Sequence, residues 1–292
     1  MSSGLRRLSE LGEFGLLAEL EHRGLALGQD AEGAVLDGGL VVTQDALVEG
    51  VHFRSEWTSW RDLGYKAAAV NLSDLAAMGA EPVGMLIGLA VPPETGDEAI
   101  LELYEGLAGV GVPVLGGDTT TALQVAVNVT AVGRSERVPG RAGARPGDVL
   151  VVTGPLGAAA AGLYVLEHGL QGFDELVERQ RRPPLRLQHG RHLGRIAHAL
   201  IDLSDGILSD ARRIAERSGC RLVIDVDSVP RAVRLEEVAD LPFWTMGEDY
   251  ELLAAVSSDQ AAALGLAVVG HVEEGSGVEP DLPVGWDAFR GR

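Results

Sequence analysis

The chain has 292 residues, 46% of them hydrophobic and 23% charged, with a formal net charge of −19 and a single cysteine, Cys220. That length predicts two domains rather than one, and the acidity excludes non-specific binding to nucleic acid or to an anionic membrane. A lone cysteine excludes a disulfide framework and a cysteine-rich zinc site, so Cys220 is expected to be a small buried hydrophobe.

The leucines of "LRRLSELGEFGLLAELEHRG" recur at helical spacing, and Gly24 is placed to end that helix. The segment lacks the unbroken apolar core of a signal peptide. "AVLDGGLVVTQDALV" (34–48) predicts two strands joined at Asp37-Gly38-Gly39. A helix capped by Thr58 or Ser59 follows and ends near Gly79; then come a strand at 83–91, a helix at 94–111 and strands at 112–118 and 123–134. The polar stretch "RSERVPGRAGARPGD" (134–148) marks a domain junction, giving domains 1–136 and 137–292. "VLVVTGPLGAAAAGLYVL" (149–166) approaches the length of a membrane span, but Gly154, Pro155 and Gly157 break it into a strand, a turn and a small-residue helix. Helices near 184–198 and 205–217 and strands ending at "LIDLSDG", "RLVIDV" and "YELLAAV" complete the pattern. Both halves mix strands and helices, which predicts an α/β (α+β) protein of two mixed domains, cytosolic and without a membrane partner.

Aspartates gather at strand ends and turns: Asp30 in "LGQDA", Asp45 in "VTQDALVEGVHF", Asp118 in "LGGDTTT", and Asp202 and Asp205 in "IDLSDG". Asp74 adds a helical member inside "NLSDLAAMGA", where nearly every neighbour is small or apolar. A buried carboxylate with nothing positive beside it costs several kcal/mol, so a cation is expected near Asp74. Carboxylates with Ser and Thr oxygens, and no Cys/His cluster, suit a hard ion such as Mg²⁺. Taken singly, each of these aspartates is better explained as a helix cap or turn residue, Asp205 in particular as an N-cap before "GILSDARRIA", and Asp74 fits that explanation least.

The P-loop, the protein-kinase motifs and the dinucleotide fingerprint are absent, and Lys66 is the sole lysine. "TGPLGAAAAG" has the outline of a strand-to-helix phosphate turn, although helix packing explains its small residues equally well. His189 and His192 are expected on a solvated helix face, Lys66 on an exposed one, and Glu248 as a solvated strand-end charge unless a substrate recruits it. His52 is the one histidine expected near a site.

"GQDA" (28–31), "TQDALVEGVHF" (43–53), "YKAAAVNLSDLAAMGAEP" (65–82), "GGDTT" (116–120), "RAGARPGD" (141–148), "IDLSDG" (201–206) and "GEDYEL" (247–252) occur in that order. With them the chain resembles the thiamine-monophosphate kinases, of the superfamily that includes aminoimidazole ribonucleotide synthetase and selenophosphate synthetase. The resemblance implies two α/β domains, a homodimer built through a barrel of N-terminal sheets, and transfer of a phosphoryl group from ATP to thiamine monophosphate. It implies Mg²⁺ ligands at Asp30, Thr43, Asp45, Asp74, Asp118, Asp202 and Asp205. It places ATP against Gly117, Asp118, Arg141, Ser204 and Tyr104, and the thiamine phosphate against His52, Glu248 and Trp286. Many members read Gly-Asp-Asp-Ala where this chain has Gly28-Gln29-Asp30-Ala31, which removes one carboxylate from the metal region. The alternatives are another ATP-dependent enzyme of the superfamily, or a metal-stabilised binding protein without catalysis. Selenophosphate synthetase carries a reactive Cys or selenocysteine near its N-terminus, where this chain has none.

Overall fold

The computed structural model describes residues 7–26 and 30–281. In chain order the elements are α1 (Leu8–His22), β1 (Ala34–Leu36), β2 (Leu40–Val48), α2 (Trp60–Ala77), β3 (Glu81–Val91), α3 (Asp97–Ala108), β4 (Val114–Thr121) and β5 (Ala126–Arg134). They continue as β6 (Val149–Val152), α4 (Ala158–His168), α5 (Asp174–Arg181), α6 (Leu187–Ile196), β7 (Ala199–Asp202), α7 (Ile207–Ser218) and β8 (Arg221–Ile224). The last are α8 (Leu235–Val238), β9 (Leu252–Val256), α9 (Ser258–Leu264), β10 (Ala267–Glu273) and β11 (Gly277–Glu279). The first sheet has the order β1-β2-β5-β3-β4 and the second β11-β8-β10-β6-β9-β7. Among the described strands only β3–β4 and β8–β11 pair in parallel; the other pairs are antiparallel.

The predicted hairpin forms with a 3₁₀ turn at Asp37–Gly39. In β2 the side chains of Val41, Thr43 and Leu47 are buried while Gln44 and Ala46 are exposed, so its odd-numbered residues face the core. Residues 267–273, which have no clean alternation, form β10 at the middle of the second sheet. A register shift between Val268 and Gly270 explains the lost period.

Helix α2 ties the two sheets together. Ser59 caps it by accepting a hydrogen bond from the Asp62 amide, and Gly79, at φ 63°, follows its end. Leu63, Leu72 and Leu75 pack into the core of the first sheet, whereas Ala76 and Ala77 pack with Leu193, Leu200 and Leu252 of the second. A helix buried on all sides needs small residues at its crossings. A Cβ on Gly106 of α3 would lie 2.0 Å from the Arg61 carbonyl oxygen, and one on Gly190 of α6 would lie 2.2 Å from the Ala76 carbonyl oxygen. The small residues of "NLSDLAAMGA" thus reflect packing on both faces, and its one carboxylate stands out for that reason. Cys220 is buried in the second core. No helix among the described residues is long and apolar enough to cross a membrane.

Candidate active site

Buried Asn71 pins α2 to β2. Its side-chain amide donates to the Ala67 carbonyl at 3.1 Å, its Oδ1 accepts the Asp45 N–H at 3.1 Å, and its carbonyl accepts the Thr43 hydroxyl at 3.2 Å. This fixes β2 beside the last turn of α2, where Asp74 sits. From the second sheet, Asp202 at the end of β7 accepts a hydrogen bond from the Ser73 hydroxyl at 2.7 Å. Glu32, Asp74 and Asp202 then each present a carboxylate oxygen, all within 4.8 Å of one another.

Burial drives the Asp74 carboxyl well above its ordinary range, and the nearby charges of Asp45, Asp202 and Glu32 push the same way against Arg141. Asp202 is pushed up to about 8, chiefly by burial and then by Glu32, while its bond from Ser73 acts in the opposite direction. Carboxylates crowded until they resist ionising form an all-oxygen donor set suited to a hard divalent cation. The residues present therefore fit Mg²⁺.

Arg141 borders this cluster. Its Nε donates to Glu32 at 2.8 Å and its Nη2 to the other carboxylate oxygen, a two-pronged and largely buried pair. Its backbone N–H donates to the Asp30 carbonyl at 2.6 Å. The Asp30 side chain itself is exposed, 3.6 Å from Arg217, and outside the three-carboxylate group. Thr43 spends its hydroxyl proton on α2.

A second set of groups lies along the same helix. Lys66 is only 1% exposed, and its Nζ stands 2.9 Å from Glu248, close enough to pair although not aligned as a hydrogen bond. This corrects the expectation of an exposed lysine: Lys66, Val70 and Asp74 recur every four residues, so they share one stripe facing the site. Glu248 is likewise a paired group rather than a solvated charge. His52 accepts the Val48 N–H at its Nδ1, 3.0 Å away, which leaves Nε2 to carry the proton of the neutral ring. Burial lowers its pKa; Glu248 opposes this and Lys66 reinforces it.

Glu248 and Tyr250 have φ values of 68° and 49°. Such backbone costs of order 1–3 kcal/mol each in a non-glycine residue and persists where surrounding contacts enforce it. Here the Glu248 N–H donates to the Ser204 carbonyl at 2.8 Å and the Tyr250 N–H to the Leu203 carbonyl at 2.9 Å. These bonds bind "GEDYEL" to "IDLSDG". The Tyr250 hydroxyl is pushed upward by burial first, then by Glu248, Asp45, Asp202 and Asp74, which sets it between the two groups of charges.

The flanking acids have structural partners. Asp205 pairs with Arg213, and Gly206 rather than Asp205 is the cap of α7. Asp210 accepts the amides of Asp205 and Gly206 at 3.2 and 3.1 Å. Glu251, fully buried, pairs with Arg179 at 3.0 Å and Arg186 at 2.5 Å. At "TGPLGAAAAG" the N-terminus of α4 is filled from within, because the Asp249 carboxylate accepts the Gly157 N–H at 2.7 Å. A phosphate turn at this place is thereby corrected to an internal helix cap.

Burial pushes Asp249 up to about 7 from the usual 3.8, against the pull of its amide donors. A carboxyl group whose folded pKa is raised binds protons more tightly folded than unfolded, so its contribution to stability declines from about pH 4 to pH 7. Asp249→Asn keeps an oxygen for Gly157 and loses that titration. Its stability should therefore fall less steeply than wild type between pH 5 and 8 in urea denaturation; parallel curves would contradict the assignment.

Gly117 and Asp118 lie on β4, an exposed edge strand of the first sheet. Tyr104 on α3 packs against the first core. Trp286 and Gln29 lie outside the described residues. Sequence reasoning missed Glu32, Lys66 as a site residue, and Tyr250. A signal existed for the last two, since both stand inside segments already singled out.

Two sheets joined by a buried helix, with acids from both meeting at its end, define a class. Residues 29–135 match the family model "AIR synthase related protein, N-terminal domain" and residues 145–282 match "AIR synthase related protein, C-terminal domain". Thiamine-monophosphate kinase of Salmonella typhimurium is 38% identical, covering 88% of this chain and 86% of its own, and that of Mycobacterium tuberculosis is 35% identical, covering 97% and 93%. The solved structure of AaThiL complexed with AMPPCP and TMP superposes with a TM-score of 0.91 at 32% identity, over 98% of this chain and 99% of that one. Escherichia coli HypE, a hydrogenase maturation protein, shares the fold at a TM-score of 0.68 and 21% identity, over 90% and 92% of the two chains. The chain belongs to the thiamine-monophosphate kinase family.

Proposed function

We propose that this protein phosphorylates thiamine monophosphate with ATP, giving thiamine diphosphate and ADP. The observation that carries the reading is the group of Glu32, Asp74 and Asp202, gathered from both domains beside the His52–Lys66–Glu248 set. A relative at 32% identity solved with AMPPCP and TMP supports the same substrates.

The acceptor is a phosphate monoester, ionised and nucleophilic near neutral pH, so no side chain has to remove a proton from it. The obstacle is repulsion: two unit charges at 4 Å repel by about 4 kcal/mol at an effective dielectric near 20, and both reactants are polyanions. Mg²⁺, when bound to Asp74, Asp202 and Glu32 with Asp45 beside them, supplies the charge cancellation that lets the two phosphates approach. Asp30, Thr43, Asp118 and Asp205 remain proposed contributors to further ion sites.

Arg141 offers ATP a fixed positive charge, with Ser204, Gly117, Asp118 and Tyr104 as further proposed contacts. At the other end His52 donates from Nε2 and Glu248 receives the cationic part of the acceptor, held in place by Lys66. Trp286 is proposed to stack on the thiazolium or pyrimidine ring, worth roughly 1–2 kcal/mol. We place the domain division at residue 137. We also place a homodimer contact on the open face and edge of the first sheet, where Val83, Leu86 and Leu115 are exposed.

ADP release by the purified protein with ATP and Mg²⁺ tests the function. It should depend on thiamine monophosphate and stop in excess chelator; ADP release indifferent to the acceptor would contradict the reading.

A further inference from the structure

Glu32 stands between two partners. One of its oxygens accepts from Arg141 Nε at 2.8 Å and the other from Nη2. The same carboxylate presents an oxygen within 4.8 Å of those of Asp74 and Asp202. The pair is sunk in the protein, with the Arg141 side chain 9% exposed and that of Glu32 8%. The Arg141 backbone is fixed on both sides: its N–H donates to the Asp30 carbonyl at 2.6 Å, and its carbonyl accepts the Ser218 hydroxyl at 2.8 Å. Arg141 can therefore change partner by its side chain while its backbone stays in place.

Glu32 fills the Nε–Nη2 edge of the guanidinium, one of the edges that can grip an oxyanion at two points. It also cancels the arginine charge, so a triphosphate approaching this face meets a neutral pair and two further carboxylates. Breaking a buried ion pair by removing one partner is strongly destabilising. A nucleotide that took Arg141 alone would strand Glu32 beside Asp74 and Asp202, and a cation that took Glu32 alone would strand Arg141. When both arrive, each side chain gives up one partner of opposite charge and gains another. The sequence points the same way. Gln29 removes one carboxylate from the metal region, and Glu32 supplies one three residues further on.

We propose that Glu32 is a switch residue, which holds Arg141 in the metal-free protein and releases it to the nucleotide phosphates when Mg²⁺ binds. The inference rests on the ATP and Mg²⁺ roles proposed above and adds a coupling between them. Each ligand raises the affinity for the other through the protein, in addition to the affinity of Mg²⁺ for ATP itself.

Calorimetry with ATP in excess chelator isolates that coupling, because no cation is present to bridge protein and nucleotide. Wild type should bind ATP weakly there. Glu32→Gln keeps the side-chain shape and removes the charge, and Glu32→Ala removes the group altogether; both should bind metal-free ATP at least fivefold more tightly than wild type. In an Arg141→Met background the same two substitutions should change ATP binding less than twofold, since there is no arginine to release. A smaller gain, or weaker binding in both Glu32 variants, would show that Glu32 only orients Arg141 and would overturn the switch. A gain that survives in the Arg141→Met background would reduce Glu32 to a plain repulsive charge and overturn it equally. The measurement does not depend on turnover. A wild-type protein that shows the exchange yet makes no thiamine diphosphate would overturn the proposed function and leave the switch standing.

Discussion

Asp74→Asn is expected to slow phosphoryl transfer roughly 10³-fold at saturating ATP and Mg²⁺, about 4 kcal/mol of barrier. The substitution keeps the shape of the side chain and removes the charge. In the metal-free protein that charge is opposed by burial and by Asp45, Asp202 and Glu32. The variant should therefore fold as well as wild type and, without metal at neutral pH, melt at the same temperature or higher. Loss of activity with retained or improved stability separates a metal ligand from a structural residue. Single-turnover kinetics and thermal melts on one preparation make the comparison, and near wild-type turnover in the variant would remove Asp74 from the metal site.

The second large effect lies in the choice of acceptor. An alcohol must lose its proton as it attacks, whereas a phosphate monoester need not. His52, the histidine beside the proposed acceptor site, has its Nδ1 engaged by the Val48 amide and acts as a donor from Nε2. Thiamine monophosphate should therefore be converted at least roughly 10³-fold faster than free thiamine under the same ATP and Mg²⁺. His52→Ala should raise KM for the acceptor by more than it lowers the chemical step, because the ring holds substrate and takes no proton. Efficient conversion of free thiamine, or collapse of the chemical step in His52→Ala at saturating acceptor, would make His52 a base.

Much of this arrangement is legible in the chain itself. Asp37-Gly38-Gly39 announces the hairpin, and Ser59 and Gly79 bracket α2. Asp74 draws notice because a carboxylate among alanines needs a cation, and Asp45 and Asp202 follow from strand-end positions together with the family resemblance. What stays hidden depends on tertiary contact. Glu32 sits in a polar turn that carries no local sign of meeting Arg141, which is 109 residues away. Lys66 reads as a solvated charge until the second domain covers α2. Tyr250 reads as a strand residue, and its left-handed backbone is enforced by carbonyls of a segment far upstream. Helix α5 escapes notice because its sequence, "DELVERQR", is mostly charged and anchors through Leu176 alone among its fully buried apolar residues. The ion pairs of Arg179 and Arg186 with buried Glu251 supply the rest of that region's attachment.

The most direct measurement follows the terminal phosphoryl group of ATP. With γ-labelled ATP, Mg²⁺ and thiamine monophosphate, the purified protein should place the label in the outer phosphate of thiamine diphosphate, one equivalent for each ADP formed. Label recovered only in inorganic phosphate or in unreacted ATP, with no thiamine diphosphate, would contradict the account.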